Sequence, residues 1–327
     1  MVSIAALLLL LLHVTSPSLG FENLCPANED LDPCYCVSDG KTIRVDCMQV
    51  TDVQEVRKAL QSVKGIKRVF IDFLRARLDA VPSDLFQGLH ISKLSFTNCK
   101  LKTLGDEGRS ALEGLEDIIE EFSIHFSFQG ENALKYLNVS RLRALDDLEI
   151  EGNDITELSN DWFRDGPKTV KNLYIMTNFI QKLGDEAFAS LSNLRNLWLT
   201  GNRFKLVKRS MFPSPALHLV SIDLTDNEVS TLPQDMFENM PALKEVILAD
   251  NAIQRVTESV WSGIWSQLTR VYLESNPLEC DSHIEWMFKV ERPYVLKGSC
   301  VAPRERKDVD LKRIIDDKKR DEDYDDF

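Results

Sequence analysis

Long apolar runs are almost missing from this sequence. The exception is Ile4–Leu12, near the start, and it is shorter than the roughly 20 residues a membrane-spanning helix needs. A polar stretch ending in the small residues Ser18 and Gly20 follows it. That predicts a secretory leader over 1–20 and a mature, secreted, extracellular chain from Phe21. No Lys or Arg precedes the run, so an uncleaved anchor is the competing reading. No transmembrane segment is expected further on, and the charged C-terminus excludes a lipid-anchor signal.

Cations are scarce too. There are 39 Lys and Arg against 52 Asp and Glu, a net charge of −13, which opposes nucleic-acid binding and docking on anionic membranes. Gly (14) and Pro (12) are too few for collagen or low-complexity sequence. The five histidines (His13, His90, His125, His218 and His283) are scattered, with no partner at ligand or catalytic spacing. GxSxG, HExxH, Walker and GxGxxG signatures are missing from any strand–turn–helix context. No enzyme activity, no cofactor and no metal site is therefore expected, and His125 reads as a lone solvent-facing side chain.

Seven cysteines are present: Cys25, Cys34, Cys36 and Cys47 near the start, Cys280 and Cys300 near the end, and Cys99 alone. Secretion makes disulfides the expected state of the two even groups, although four cysteines allow three pairings. Zinc is disfavoured in the first group, which lacks a CxxC pair and a nearby His.

Between these groups the chain repeats. Leu194, Leu197, Leu199, Asn202, Phe204 and Val207 spell L-x-x-L-x-L-x-x-N-x-φ-x-x-φ. The Asn recurs at Asn153, Asn178, Asn202, Asn227, Asn251 and Asn276, in steps of 24 or 25 residues. Apolar triplets such as Leu145/Leu148/Ile150 and Leu243/Val246/Leu248 precede each one. This is the leucine-rich repeat pattern. Weaker copies lie upstream: Ile91/Leu94/Phe96 leading to Cys99, Ile119/Phe122/Ile124 leading to Ser127, and Ile66/Val69/Ile71 leading to Leu74. About nine repeats then cover 66–278, and Cys99 is explained as a small, inert residue in a turn.

The expected fold is α/β: a leucine-rich repeat solenoid, with a curved parallel sheet on the concave face, short helices and loops on the convex face, and capped ends. Each triplet forms a short strand with alternate side chains inward, and the Asn satisfies backbone groups between coils. Phe188, Leu191, Phe237 and Met240 close the coils from outside. One coil cannot bury its own face, so stacking supplies the core.

Strand alternation sends the positions four and two before each Asn to the concave side. The first column runs Phe70, Ser95, Ser123, Glu149, Tyr174, Trp198, Asp223, Ile247 and Tyr272. The second runs Asp72, Thr97, His125, Glu151, Met176, Thr200, Thr225, Ala249 and Glu274. Tyr174, Met176 and Trp198 are expected to form one patch, which Ile247 and Tyr272 extend. Acidic residues, among them Asp147, Asp223, Glu245 and Asp250, rim or interrupt it. Exposed aromatics in a polar rim mark a protein-binding surface; mutual stacking driven by strand propensity is the bland alternative. Five residues, Tyr174, Met176, Trp198, Ile247 and Tyr272, are thus the candidate contacts for a secreted or cell-surface protein partner. The sequence does not fix the oligomeric state.

The caps carry a resemblance. Cys25 to Cys47 resembles the cysteine-rich N-terminal cap of leucine-rich repeat proteins, which implies bonds Cys25–Cys36 and Cys34–Cys47 over a cap at 21–65. Asn276-Pro277-Leu278-Glu279-Cys280 with Trp286 resembles the C-terminal cap, here 279–303. Ser282 stands where that family has a second cysteine, so one bond, Cys280–Cys300, is implied. The whole arrangement of leader, caps and coils resembles secreted arthropod leucine-rich repeat proteins; more narrowly, Cys34-Tyr35-Cys36, the Asp46-Cys47 step, the Glu120-Glu121-Phe122 repeat and the segment 276–287 resemble the non-catalytic subunits of secreted shrimp luciferases. That implies a binding or stabilising partner of a small catalytic chain. Recognition of a microbial glycan or lipid, as in innate-immune members of the fold, is the alternative.

Two surface features complete the reading. Asn138-Val139-Ser140 is an N-glycosylation acceptor, expected on the convex or edge side. The tail 304–327 has eight basic and ten acidic residues and reads as solvated, with one helical turn near Leu311–Ile315. Tyr324 sits in its acidic end, which suits either sulfation or simple solubilisation.

Overall fold

A computed structural model describes residues 23–325, so the expected leader at 1–20 and the side chain of Tyr324 lie outside the described residues. Twelve strands form one sheet in chain order. They are β1 (Cys34–Ser38), β2 (Ile43–Met48), β3 (Val69–Leu74), β4 (Ile91–Thr97), β5 (Glu121–His125), β6 (Asp147–Glu151), β7 (Asn172–Met176), β8 (Asn196–Trp198), β9 (Ser221–Asp223), β10 (Glu245–Ile247), β11 (Arg270–Tyr272) and β12 (Val295–Lys297). Only β1 and β2 are antiparallel; every later pair is parallel. The fold is a leucine-rich repeat solenoid.

Alternation places the triplets inside. Leu148 and Ile150, Leu173 and Ile175, and Val246 and Leu248 are all buried. Behind the sheet runs an aromatic file, Phe163–Phe188–Phe212, with ring centroids 6.3 Å apart at each step. A second file, Phe237–Trp261–Trp265–Trp286, carries the packing into the C-terminal cap. Leu191 and Met240 are buried alongside, closing the coils from outside.

The asparagines work as the repeat requires. Asn202 Nδ2 donates to Ile175 O at 2.9 Å in the preceding coil and to Leu199 O at 2.8 Å in its own. Its Oδ1 accepts from the Asn178 and Ile180 N–H groups at 3.2 and 3.1 Å. Asn153, Asn178, Asn251 and Asn276 repeat the scheme. Ser127 and Cys99 do it with a single donor each: the Ser127 hydroxyl reaches Phe96 O at 3.1 Å, and the Cys99 thiol reaches Phe73 O at 3.4 Å. Burial pushes the Cys99 thiol up, so it stays protonated and inert. In the nine repeats, and at Gln49 in the N-terminal cap, the residue before this position is left-handed, with φ between 49° and 68°.

The caps are stapled by Cys25–Cys36, Cys34–Cys47 and Cys280–Cys300. Cys34 and Cys47 are directly paired across β1 and β2. Helix α1 (Val53–Gln61) starts at Asp52, whose carboxylate accepts the Gln54 N–H at 2.7 Å, and buries Val56, Ala59 and Leu60.

Two expectations need correction. Asp72 pairs with Ser95 and Leu74 with Thr97, so the first coil runs two residues later than its triplet suggested. Ala76, not Leu74, stands at the turn position, and Asp72 rather than Phe70 belongs to the minus-four column. The pairing slips at Val69/Phe70, and Ala has no polar group to mark the turn. The tail is the second. Helix α2 spans Leu311–Asp325, far beyond one turn, and Leu311 and Ile315 are fully buried. Arg292 grips Asp316 through two bonds of 2.8 and 3.1 Å, so the start of the tail is part of the cap.

Candidate functional site

Each concave strand presents three outward columns. The column nearest the strand starts is tied sideways, coil to coil. Asn196 donates to Asn172 at 2.7 Å, Asn172 to Asp147 at 2.6 Å, and Arg270 to Glu245 at 2.5 Å. Lys93 pairs with Glu121 at 2.8 Å. Sequence spacing missed this ladder, although its members share one column six residues before the turn position.

In the middle column Tyr174 and Trp198 are register neighbours. Their rings meet edge to face at 5.1 Å and 88°, a favourable arrangement for aromatic quadrupoles. Trp198 remains 39% exposed, a large apolar group at the middle of the sheet that this face offers to a partner. Burial, together with Asp147 and Glu149, raises the Tyr174 hydroxyl above its usual range, so it is a neutral donor at physiological pH. Met176 closes β7 beside this pair and lies opposite Glu151.

Ile247 and Tyr272 are also register neighbours, but Asp223 stands between Trp198 and Ile247. The five candidates therefore form two apolar groups divided by a carboxylate. Asp223 accepts the Thr225 N–H at 2.8 Å, which holds it in that gap.

His125 departs from its expected isolation. Its Nε2 lies 3.3 Å from Glu149 on the next strand, and its side chain is mostly buried. The imidazole contact holds the Glu149 carboxyl below its usual range against the opposing effect of burial. Nothing in the sequence spacing announces this, because the two residues are neighbours only through the register of adjacent coils.

Away from the sheet, Asn138 is exposed in the segment between β5 and β6, and its side-chain oxygen accepts from the Ser140 hydroxyl at 2.8 Å. It borders a cavity of about 730 Å³ lined by Phe128, Tyr136 and Arg141, among others. None of the cavity's lining residues belongs to the twelve-stranded sheet.

A stack of parallel coils stapled at both ends, with an open aromatic and acidic face, is the leucine-rich repeat fold. The leucine rich repeat family model matches residues 143–204 and 218–278. The chain is 24% identical over 323 residues to the Oplophorus-luciferin 2-monooxygenase non-catalytic subunit of Oplophorus gracilirostris, covering 88% of this chain and 86% of that one. It is 29% identical to Toll-like receptor 9 of Mus musculus over 48% of this chain but only 14% of the receptor. Podocan-like protein 1 of Mus musculus is 31% identical over 43% of this chain and 24% of its own length. Among solved structures, a complex of Latrophilin 3, Unc5D and the leucine-rich repeats of FLRT2 shares the fold. The TM-score is 0.58 at 17% identity, covering 87% of this chain and 96% of that chain. These similarities are to a non-catalytic subunit and to repeat proteins. Among the described residues no helix is long and apolar enough to cross a membrane.

Proposed function

We propose that this protein is secreted and holds a protein ligand on its concave face, as the non-catalytic subunit of a luciferase-like complex. Trp198 carries the reading: a half-open indole, braced by Tyr174, at the middle of the strand array. Met176 would widen this anchor, and Ile247 with Tyr272 would seat a second apolar group beyond Asp223. The acidic rim suits a partner with basic groups around its apolar contacts. Near-complete coverage of the shrimp non-catalytic subunit supports the assembly. A leader at 1–20 and a glycan on Asn138 complete the proposal; the glycan would lie clear of the sheet.

Co-purification with a catalytic chain, followed by Trp198→Ala, tests it. The substitution should weaken capture by about 2 kcal/mol, the size of an interface hot spot, with the melting temperature unchanged. Unaltered affinity would remove the aromatic pair from the interface. The second reading is capture of a microbial glycan or lipid by the same exposed aromatic pair. Binding to microbial wall preparations that is lost when Tyr174 and Trp198 are replaced by Ala would select it.

A further inference from the structure

The contact between His125 and Glu149 belongs to a larger group. His125 ends β5 and pairs in register with Glu151 on β6, while Glu149 lies two residues back on the same face. One ligand atom from each of His125, Glu149 and Glu151 lies within 4.8 Å of the other two. Two neighbouring strands thus turn one imidazole and two carboxylates toward one point.

Several observations separate this group from an ordinary ion pair. The 3.3 Å between His125 Nε2 and Glu149 Oε2 exceeds the roughly 2.7–2.9 Å of a charge-assisted hydrogen bond. Nε2 is buried and has no hydrogen-bond partner among the described residues. Glu151 enters no ion pair among the described residues, and Lys93, the cation on β4, is already held by Glu121. A tetrahedral ion with bonds of about 2.0–2.1 Å sets its ligand atoms roughly 3.3–3.4 Å apart, the separation of the His125–Glu149 pair.

We propose that His125, Glu149 and Glu151 bind a divalent transition metal of the zinc class on the concave face. The donor set selects the class: imidazole nitrogen suits zinc and its neighbours, whereas calcium takes six to eight oxygens. Two carboxylates balance the ion's charge. Three protein ligands leave a fourth position, open to water or to a donor group on a bound protein. Glu149 is the register neighbour of Tyr174, so that position lies beside the aromatic pair. The site does not depend on the aromatic pair binding anything.

Chelator-stripped full chain, without any partner, should be dialysed against zinc chloride, with metal analysis, calorimetry and thermal melts as readouts. One zinc per chain is expected, together with a rise in melting temperature and, with cobalt(II), a visible absorption band. His125→Asn, Glu149→Gln and Glu151→Gln should each weaken binding by roughly tenfold or more and lose the thermal rise. Their metal-free melting temperatures should match the parent. His218→Asn and His283→Asn should bind as the parent does. Glu151→Gln keeps the test open if His125→Asn fails to fold, since no ion pair depends on that carboxylate. No saturable zinc uptake, uptake unchanged by the three substitutions, uptake removed by His283→Asn, or uptake of calcium alone would each overturn the proposal. Failure of Trp198→Ala to affect a partner would leave the metal measurements untouched, so the two proposals fail separately.

Discussion

At the scale of single residues, the turn asparagines are not equivalent. Asn202 uses both ends of its amide, donating into two coils and accepting two N–H groups. Asn227 donates to Leu199 O and Leu224 O, but its Oδ1 is buried without a partner. Removing Asn202 strands more backbone groups. Asn202→Ala should cost about 1–3 kcal/mol, and Asn227→Ala measurably less, in denaturant titrations that use exposed Lys205→Ala as control. Equal losses would contradict the accounting. Glu245 offers a pH test. Its hydrogen bond from Arg270 holds its carboxyl below the usual range. A depressed carboxylate adds stability that is complete above its unfolded pKa and is lost as pH falls through the folded value. Burial raises Asp147, which works with the opposite sign, so the comparison must be against Glu245→Gln. The gap between parent and variant melting temperatures should close as pH drops below about 4.

At the scale of elements, legibility followed chemistry. Strands led by a Leu triplet and ended by Asn could be read because both marks are side chains with one job each. The first coil misled because Ala76 makes no turn bond of its own, leaving two frames equally apolar. The left-handed position escaped notice because Gln49, Phe126, Thr177 and Asp250 share no chemistry there; neighbouring bonds impose the conformation. Gly152 is the exception with a visible reason, since a Cβ there would lie 2.3 Å from the Phe126 ring. Candidate contacts on the concave face were legible as columns, but not their separation by Asp223 or the meeting of His125 with two glutamates. Helix α2 was hidden by its charge: it docks through few apolar residues, chiefly Leu311 and Ile315, in a segment that otherwise reads as solvated. Leu311→Ala should therefore lower stability by about 2–3 kcal/mol, while exposed Lys312→Ala should not, as thermal melts would register. Matching melts would mean that the helix does not cap the stack.

At the scale of the whole molecule, coils touch only their neighbours, so cooperativity depends on every junction holding. The junction between β5 and β6 differs in chemistry from those that follow it. On its N-terminal side Ser127 and Cys99 replace Asn, each with a single donor where an amide has two. The aromatic packing divides there as well. Phe73, Phe96 and Phe122 stack within the first strands, and a separate file begins at Tyr136 and Trp162. Among the described residues no ring contact joins the two. Among the groups that cross are the amide of Asn153, whose Oδ1 accepts the Ser127 and Phe128 N–H groups at 3.0 and 3.1 Å, and the His125–Glu149 contact, together with the sheet hydrogen bonds and buried strand residues. Native-state hydrogen exchange should accordingly resolve two blocks, 34–125 and 147–297, with distinct opening free energies. Asn153→Ala should widen the gap between them, whereas Asn251→Ala, placed inside the second block, should lower that block alone. A single opening free energy across both, unmoved by Asn153→Ala, would mean that the backbone ladder and strand packing alone make the stack one cooperative unit.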